Sequence, residues 1–128
     1  MGFFYYYNPS PIKAKVGDCV VRAICAAENK DWDTIYCELC VEGYSQKDMP
    51  SSNAVWGKYL ESKGYKRHFV DDSCPLCYTV IDFAKSHPNG IYIIGTGEHA
   101  VSVINGQYWD NYDSGNKNPL YYWSKEDQ

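Results

Sequence analysis

Asn105-Gly106 is the feature that most restricts how this chain can fold. The pair sits between "HAVSVI" and "QYWDNYD", two runs of β-branched and aromatic residues. A type I′ turn needs positive φ at both central residues, which Asn and Gly tolerate, so the flanks are predicted to be antiparallel strands joined by a two-residue loop. In that register Ile104 pairs with Gln107, and counting outward sets His99 opposite Tyr112. His99 then shares a face with Asp110. A loop one residue longer would exchange faces and bring Asp113 across from the imidazole instead. Either register puts a carboxylate within reach of His99.

Residues 91–94, 99–104, 107–113 and 120–123 read as short strands, and 65–70 as an earlier one. The first half has a different texture. Val20, Val21, Ala23, Ile24 and Ala27 give residues 18–28 the wide apolar face of a buried helix that starts at Gly17 or Asp18. A second helix is expected over 32–42, with Trp32, Ile35, Tyr36, Leu39 and Cys40 on one stripe and Gly43 as its stop. Ser51 or Ser52 caps a third, which runs through Val55, Trp56, Tyr59 and Leu60 to Gly64. A fourth is expected over 75–86, because Pro75 suits a first turn. Helices first and antiparallel strands last predict an α+β fold, a helical half packed on a small C-terminal antiparallel sheet. The aromatic run from Phe3 to Tyr7 is expected to add an N-terminal strand that closes the sheet. The 128 residues provide for a single domain, 1–128.

The charge balance narrows the function classes. A net charge of -4, with twelve Lys and Arg scattered along the chain, offers no basic face, so no nucleic-acid partner is expected. No apolar run approaches the length of a membrane span, so no membrane partner is expected either. The N-terminus lacks the basic leader and cleavage site of a signal peptide, and Tyr6 stands where a myristoylation motif carries Ser or Thr. A cytoplasmic chain with reduced cysteines is the expectation.

Six cysteines then need another explanation. Cys19 opens the first helix, where unpaired N–H groups stabilise a thiolate. Together with His99 and a carboxylate it supplies nucleophile, base and orienting acid. A rival reading is structural zinc on Cys37-x-x-Cys40 and Cys74-x-x-Cys77. The first pair falls inside a helix rather than on a turn, and the separation exceeds the usual zinc-ribbon spacing. Cys25 reads as a core residue, and Asp18 and Glu98 as capping or solvated groups. Trp109 and Tyr112, beside His99, are candidate walls of a cleft.

"GDCVVRAI", "HAVSVI" and "YWDNYDSG" occur in the chain order of, and resemble, the three active elements of papain-like cysteine peptidases, in particular compact members from bacteria and their phages. The resemblance implies a papain-like fold, with Cys19 as nucleophile, His99 as base and an acid after the hairpin. Asp113-Ser114 is most similar to the family's ending and favours Asp113, whereas the turn register favours Asp110; both remain candidates. Lys13 stands where the family has its oxyanion glutamine, and Asn8 is a candidate substitute donor. The resemblance further implies cleavage of peptide or isopeptide bonds in a peptide or protein substrate, with no cofactor. The alternative is a non-catalytic binding domain of the same fold, held by zinc on the two CxxC pairs.

Overall fold

The computed structural model describes residues 2–13, 16–70 and 78–125. Among these the elements run β1 (Phe4–Tyr6), α1 (Cys19–Glu28), α2 (Trp32–Gln46), α3 (Asn53–Ser62), β2 (Tyr65–Phe69), α4 (Val80–Ser86), β3 (Ile91–Gly95), β4 (Ala100–Ile104), β5 (Gln107–Asp110) and β6 (Tyr121–Lys125). The fold is α+β, four helices on one six-stranded sheet of order β1-β5-β4-β3-β6-β2.

The Asn-Gly turn sets the centre of that sheet. Asn105 and Gly106 take φ of 48° and 83°. The register is Ile104 with Gln107, Val103 with Tyr108 and Ser102 with Trp109. Alternation along the strands feeds two cores. Ile93, Ala100 and Trp123 pack with α1, α2 and α3, while Ile94, Val101, Val103 and Tyr108 pack with Val80, Phe83 and Ala84 of α4. Helices therefore cover both faces, and α1 is buried from Val20 through Ala27.

Five expectations are corrected. The sheet is mixed rather than antiparallel, because β1 pairs in parallel with β5, and it stays open with β1 and β2 as its edges. Gly43 does not stop α2, which continues to Gln46 and ends at Lys47 in the left-handed region. Gly43 is needed for closeness instead: a Cβ there would lie 2.7 Å from the Asp48 carbonyl oxygen, where the chain doubles back. The fourth helix begins at Val80, since Thr79 and Asp82 form a reciprocal capping box that fixes the start; Pro75 lies outside the described residues. The strand after the Asn-Gly turn ends at Asp110, short of residue 113.

Candidate active site

Cys19 is the first residue of α1, and the residue before it explains its surroundings. Asp18 occupies the N-cap position but makes no cap hydrogen bond. Its carboxylate is turned elsewhere: Oδ1 accepts from Arg22 Nη1, and Oδ2 accepts from Trp32 Nε1 at 2.9 Å. No side-chain oxygen of the cap residue therefore competes for the first-turn N–H groups, whose positive end of the helix dipole lies beside the sulfur.

His99 comes from a tight turn between β3 and β4. The Thr96 N–H donates to the His99 carbonyl at 2.9 Å, and Gly97 supplies the positive φ of 96°. The imidazole Nε2 lies 2.7 Å from Asp110 Oδ2, which leaves Nδ1 free of that carboxylate. The Cys19 thiol lies beside the His99 ring and the Ala100 backbone, and both favour its thiolate form; Cys19, His99 and Ala100 line the same cavity. Tyr112 rests against the same ring, its hydroxyl 3.4 Å from Nδ1.

Asp110 is fully buried and saturated. Oδ1 accepts from Arg22 Nε at 2.9 Å and from the Asn111 N–H at 2.8 Å; Oδ2 accepts from Ser114 Oγ at 2.6 Å and faces His99. One oxygen is pinned by a guanidinium and a backbone amide, so the other is aimed.

Electrostatics follow from these contacts. Burial by itself would push the Cys19 thiol up, but the hydrogen bonds from His99 and Ala100 and the nearby positive charges of His99 and Arg22 outweigh it and hold the thiol below its usual range. Burial would lower His99, yet its bonds to Asp110 and Cys19 raise it. Asp110, which burial would raise, is held below the ordinary carboxylate range by His99, Ser114 and Arg22. All three shifts favour a thiolate facing an imidazolium. Cys25, fully buried one helical stretch later, is pushed up to about 12 by burial and by Asp31 and Asp18. The two thiols of one helix are thus chemically opposite.

Cys19 and His99 open onto a cavity of about 570 Å³ whose other walls include Trp32, Tyr36, Leu39, Met49, Trp56 and Tyr121. Trp32 and Tyr36 stack at 4.8 Å. Gly95 gives Tyr121 its place, because a Cβ there would lie 2.3 Å from the tyrosine ring. The cavity is large enough for a few side chains of an extended substrate, and its wall is mostly apolar.

Other expected site residues lie elsewhere. Asp113 is not at His99; its Oδ1 accepts from the Tyr108 hydroxyl and, at 3.0 Å, from the Gly115 N–H. The two-residue turn is the reason, since the longer loop that would bring Asp113 across does not form. Asn8 is not among the residues that line the cavity, and its Oδ1 accepts from the Ser10 N–H at 3.1 Å. Trp109 and Tyr112 are not lining residues either, and Trp109 stacks on Tyr5 at 4.2 Å. Cys37 is exposed and Cys40 half-buried on α2, and Cys74 and Cys77 lie outside the described residues. Among the described residues no group of three or more His, Cys, Asp or Glu is placed to hold a metal ion.

Asp18 is no solvated cap, and Arg22 is the residue easiest to overlook. In "CVVRAIC" a charged side chain interrupts a run destined for burial, and a buried guanidinium requires anionic partners. That interruption was the available signal. No family model matches this chain, and no curated protein or solved structure matches it either.

Proposed function

We propose that this chain is a papain-like thiol hydrolase that cleaves peptide or isopeptide bonds. The single observation that carries the reading is the placement of the Cys19 thiol on one cavity wall with an imidazole whose Nε2 is held at 2.7 Å by a fully buried carboxylate.

The chemistry follows from the roles. The Cys19 thiolate attacks the carbonyl carbon, and the electron pair of the C=O bond moves to oxygen. The Cys19 N–H, in the first turn of α1, is the donor assigned to that oxyanion. Collapse of the tetrahedral intermediate breaks the C–N bond as His99 gives its proton to the leaving amine. Water then attacks the thioester, His99 takes its proton, and the carboxylic acid departs with Cys19 restored as thiolate. An amine in place of that water would make the same site a transferase. Asp110 orients the ring and stays ionised throughout.

The test is selective alkylation. At mildly acidic pH, iodoacetamide is expected to modify Cys19 well ahead of Cys25, Cys37, Cys40, Cys74 and Cys77, read by peptide mass spectrometry, and His99→Ala removes that preference. Cys19→Ser abolishes turnover of a peptide library. Cys19 labelling no faster than the others, together with one tightly bound zinc per chain, would overturn the reading.

A further inference from the structure

Beyond the triad, the structure holds a second buried charge arrangement that the chemistry above does not use. Arg22 is only 3% exposed, yet it carries a full positive charge on the helix that carries the thiol. Its Nη1 bonds Asp18 Oδ1 and its Nε bonds Asp110 Oδ1 at 2.9 Å. Asp18 continues the chain of bonds to Trp32 Nε1, which belongs to the cavity wall. The side chains from Trp32 through Asp18, Arg22 and Asp110 to His99 therefore form one hydrogen-bonded line that ends on the cavity wall shared with Cys19.

We propose that Arg22 is a positioning residue: its guanidinium, clamped between Asp18 and Asp110, supplies the charge that lets Asp110 remain a buried carboxylate and fixes which oxygen that carboxylate turns to His99. This rests on the thiol-hydrolase reading, because the consequence appears at Cys19. Arg22 touches neither the sulfur nor the imidazole in any hydrogen bond, so its charge reaches the thiol across space and its geometry reaches the imidazole through Asp110.

The argument is one of charge and geometry. With the thiolate–imidazolium pair formed, three anions (Asp18, Asp110, Cys19) face two cations (Arg22, His99) in a largely water-free region. Removal of Arg22 leaves three anions facing one cation, and the cheapest relief is proton uptake by a carboxylate or by the thiolate. The other ionisable groups nearby do not replace it. Tyr108 and Asp113 bond each other beyond Asp110, and Asp31 at the start of α2 acts on Cys25. Geometry adds a second effect: without the Nε bond only the Asn111 N–H holds Oδ1, and the carboxylate can rotate away from the ring.

The experiment reads the thiolate directly and needs no substrate. The rate of Cys19 alkylation by iodoacetamide is measured against pH in the full chain. Arg22→Met is expected to move the midpoint upward by about one pH unit, a fall of about tenfold in rate below both midpoints. Arg22→Lys, which keeps the charge and loses the fork, falls between. A structural effect is separated by comparing Asp18→Asn with the double variant Asp18→Asn/Arg22→Met, which has no unpaired Asp18 charge. The double variant is expected to recover melting temperature while its midpoint stays above that of Asp18→Asn alone. If Arg22→Met does not fold, Arg22→Lys and the double variant decide. A folded variant without the guanidinium that keeps its reference profile overturns the positioning role. A wild-type Cys19 with an ordinary thiol profile instead overturns the hydrolase reading beneath it.

Discussion

Asp110→Asn removes one charge and almost no volume, so its effects can be traced bond by bond. Four donors now converge on the two carboxylate oxygens, two on each. An amide offers only one acceptor oxygen, so its NH₂ must meet either Arg22 Nε and the Asn111 N–H or His99 and Ser114. The first choice sets donor against donor at the buried guanidinium. The second forces His99 Nε2 to become the acceptor, which favours the neutral tautomer with its proton on Nδ1 over the imidazolium that pairs with a thiolate. Either arrangement leaves Arg22 with Asp18 as its only anion. Breaking a fully buried ion pair costs about 3–5 kcal/mol, against a total stability of about 5–15 kcal/mol for a domain. At about 3–4 °C per kcal/mol for a chain of this size, the melting temperature is expected to fall by roughly 10–20 °C. Turnover is expected to fall about 10⁴-fold, the scale of a wrong-tautomer defect, and Cys19 alkylation is expected to lose its acid-side reactivity. Asp113→Asn is the matched control: it weakens bonds to Tyr108 and Gly115, costs no more than about 1 kcal/mol, and leaves the alkylation profile unchanged. Circular-dichroism melts and alkylation rates on the two variants decide the matter. Asp110→Asn behaving like wild type, or Asp113→Asn abolishing the acid-side reactivity, would refute the assignment.

The pH response has a definite sign for each group. His99 is raised in the fold, so its contribution to stability is complete below about pH 6.5 and is lost as pH climbs through the folded value. Asp110 is lowered, so its contribution is present above the ordinary carboxylate value and lost as pH falls through the depressed one. Cys19 is lowered as well, and its contribution, complete above about pH 8.5, is lost as pH falls through its folded value. Alkylation of Cys19 is therefore expected to reach a plateau between the lowered thiol value and the raised imidazole value. His99→Ala should remove that plateau and leave one step near the ordinary thiol value; a wild-type profile with only that step contradicts the pair. For the fold, Gly43→Ala tests the close approach after α2. Glycine to alanine inside a helix ordinarily gains about 1 kcal/mol, but here the Cβ would lie 2.7 Å from a backbone oxygen. A net loss of about 1–3 kcal/mol, seen as a lower melting temperature, is expected, and a gain would refute the contact.

What could be read from the residues followed local rules. Asn105-Gly106 dictates a turn of fixed length, and the pairing of Ile104 with Gln107 follows from it. The apolar faces of α1 and α3 are dense enough to place them within a residue or so. Long-range partners were less legible. The parallel pairing of β1 with β5 depends on a strand from the far end of the chain, and nothing in "FYY" encodes its direction. Gly43 looked like a helix stop because a glycine needed for closeness and one needed for positive φ are the same letter. Asp113 looked like the acid because a short ending resembles another; the register of the hairpin was the more physical guide.

The site owes its geometry to one helical turn set against one hairpin. Cys19 and Arg22 are three residues apart and lie on neighbouring sides of α1, so the turn that presents the sulfur also presents the guanidinium. His99 and Asp110 lie where the β4–β5 ladder ends, brought near each other by the two-residue turn at its other end. The guanidinium-to-carboxylate bond joins the two units, and it sets the imidazole beside the thiol on one cavity wall. His99, Asp110 and Arg22 resist rotation, because each of these side chains is held from two directions. The Asp18 carboxylate, drawn off its cap position into the same network, leaves the helix N-terminus free of a competing acceptor. The same diversion that buries a charge pair thus helps keep the thiolate beside an uncapped helix end, where an anion is most stable.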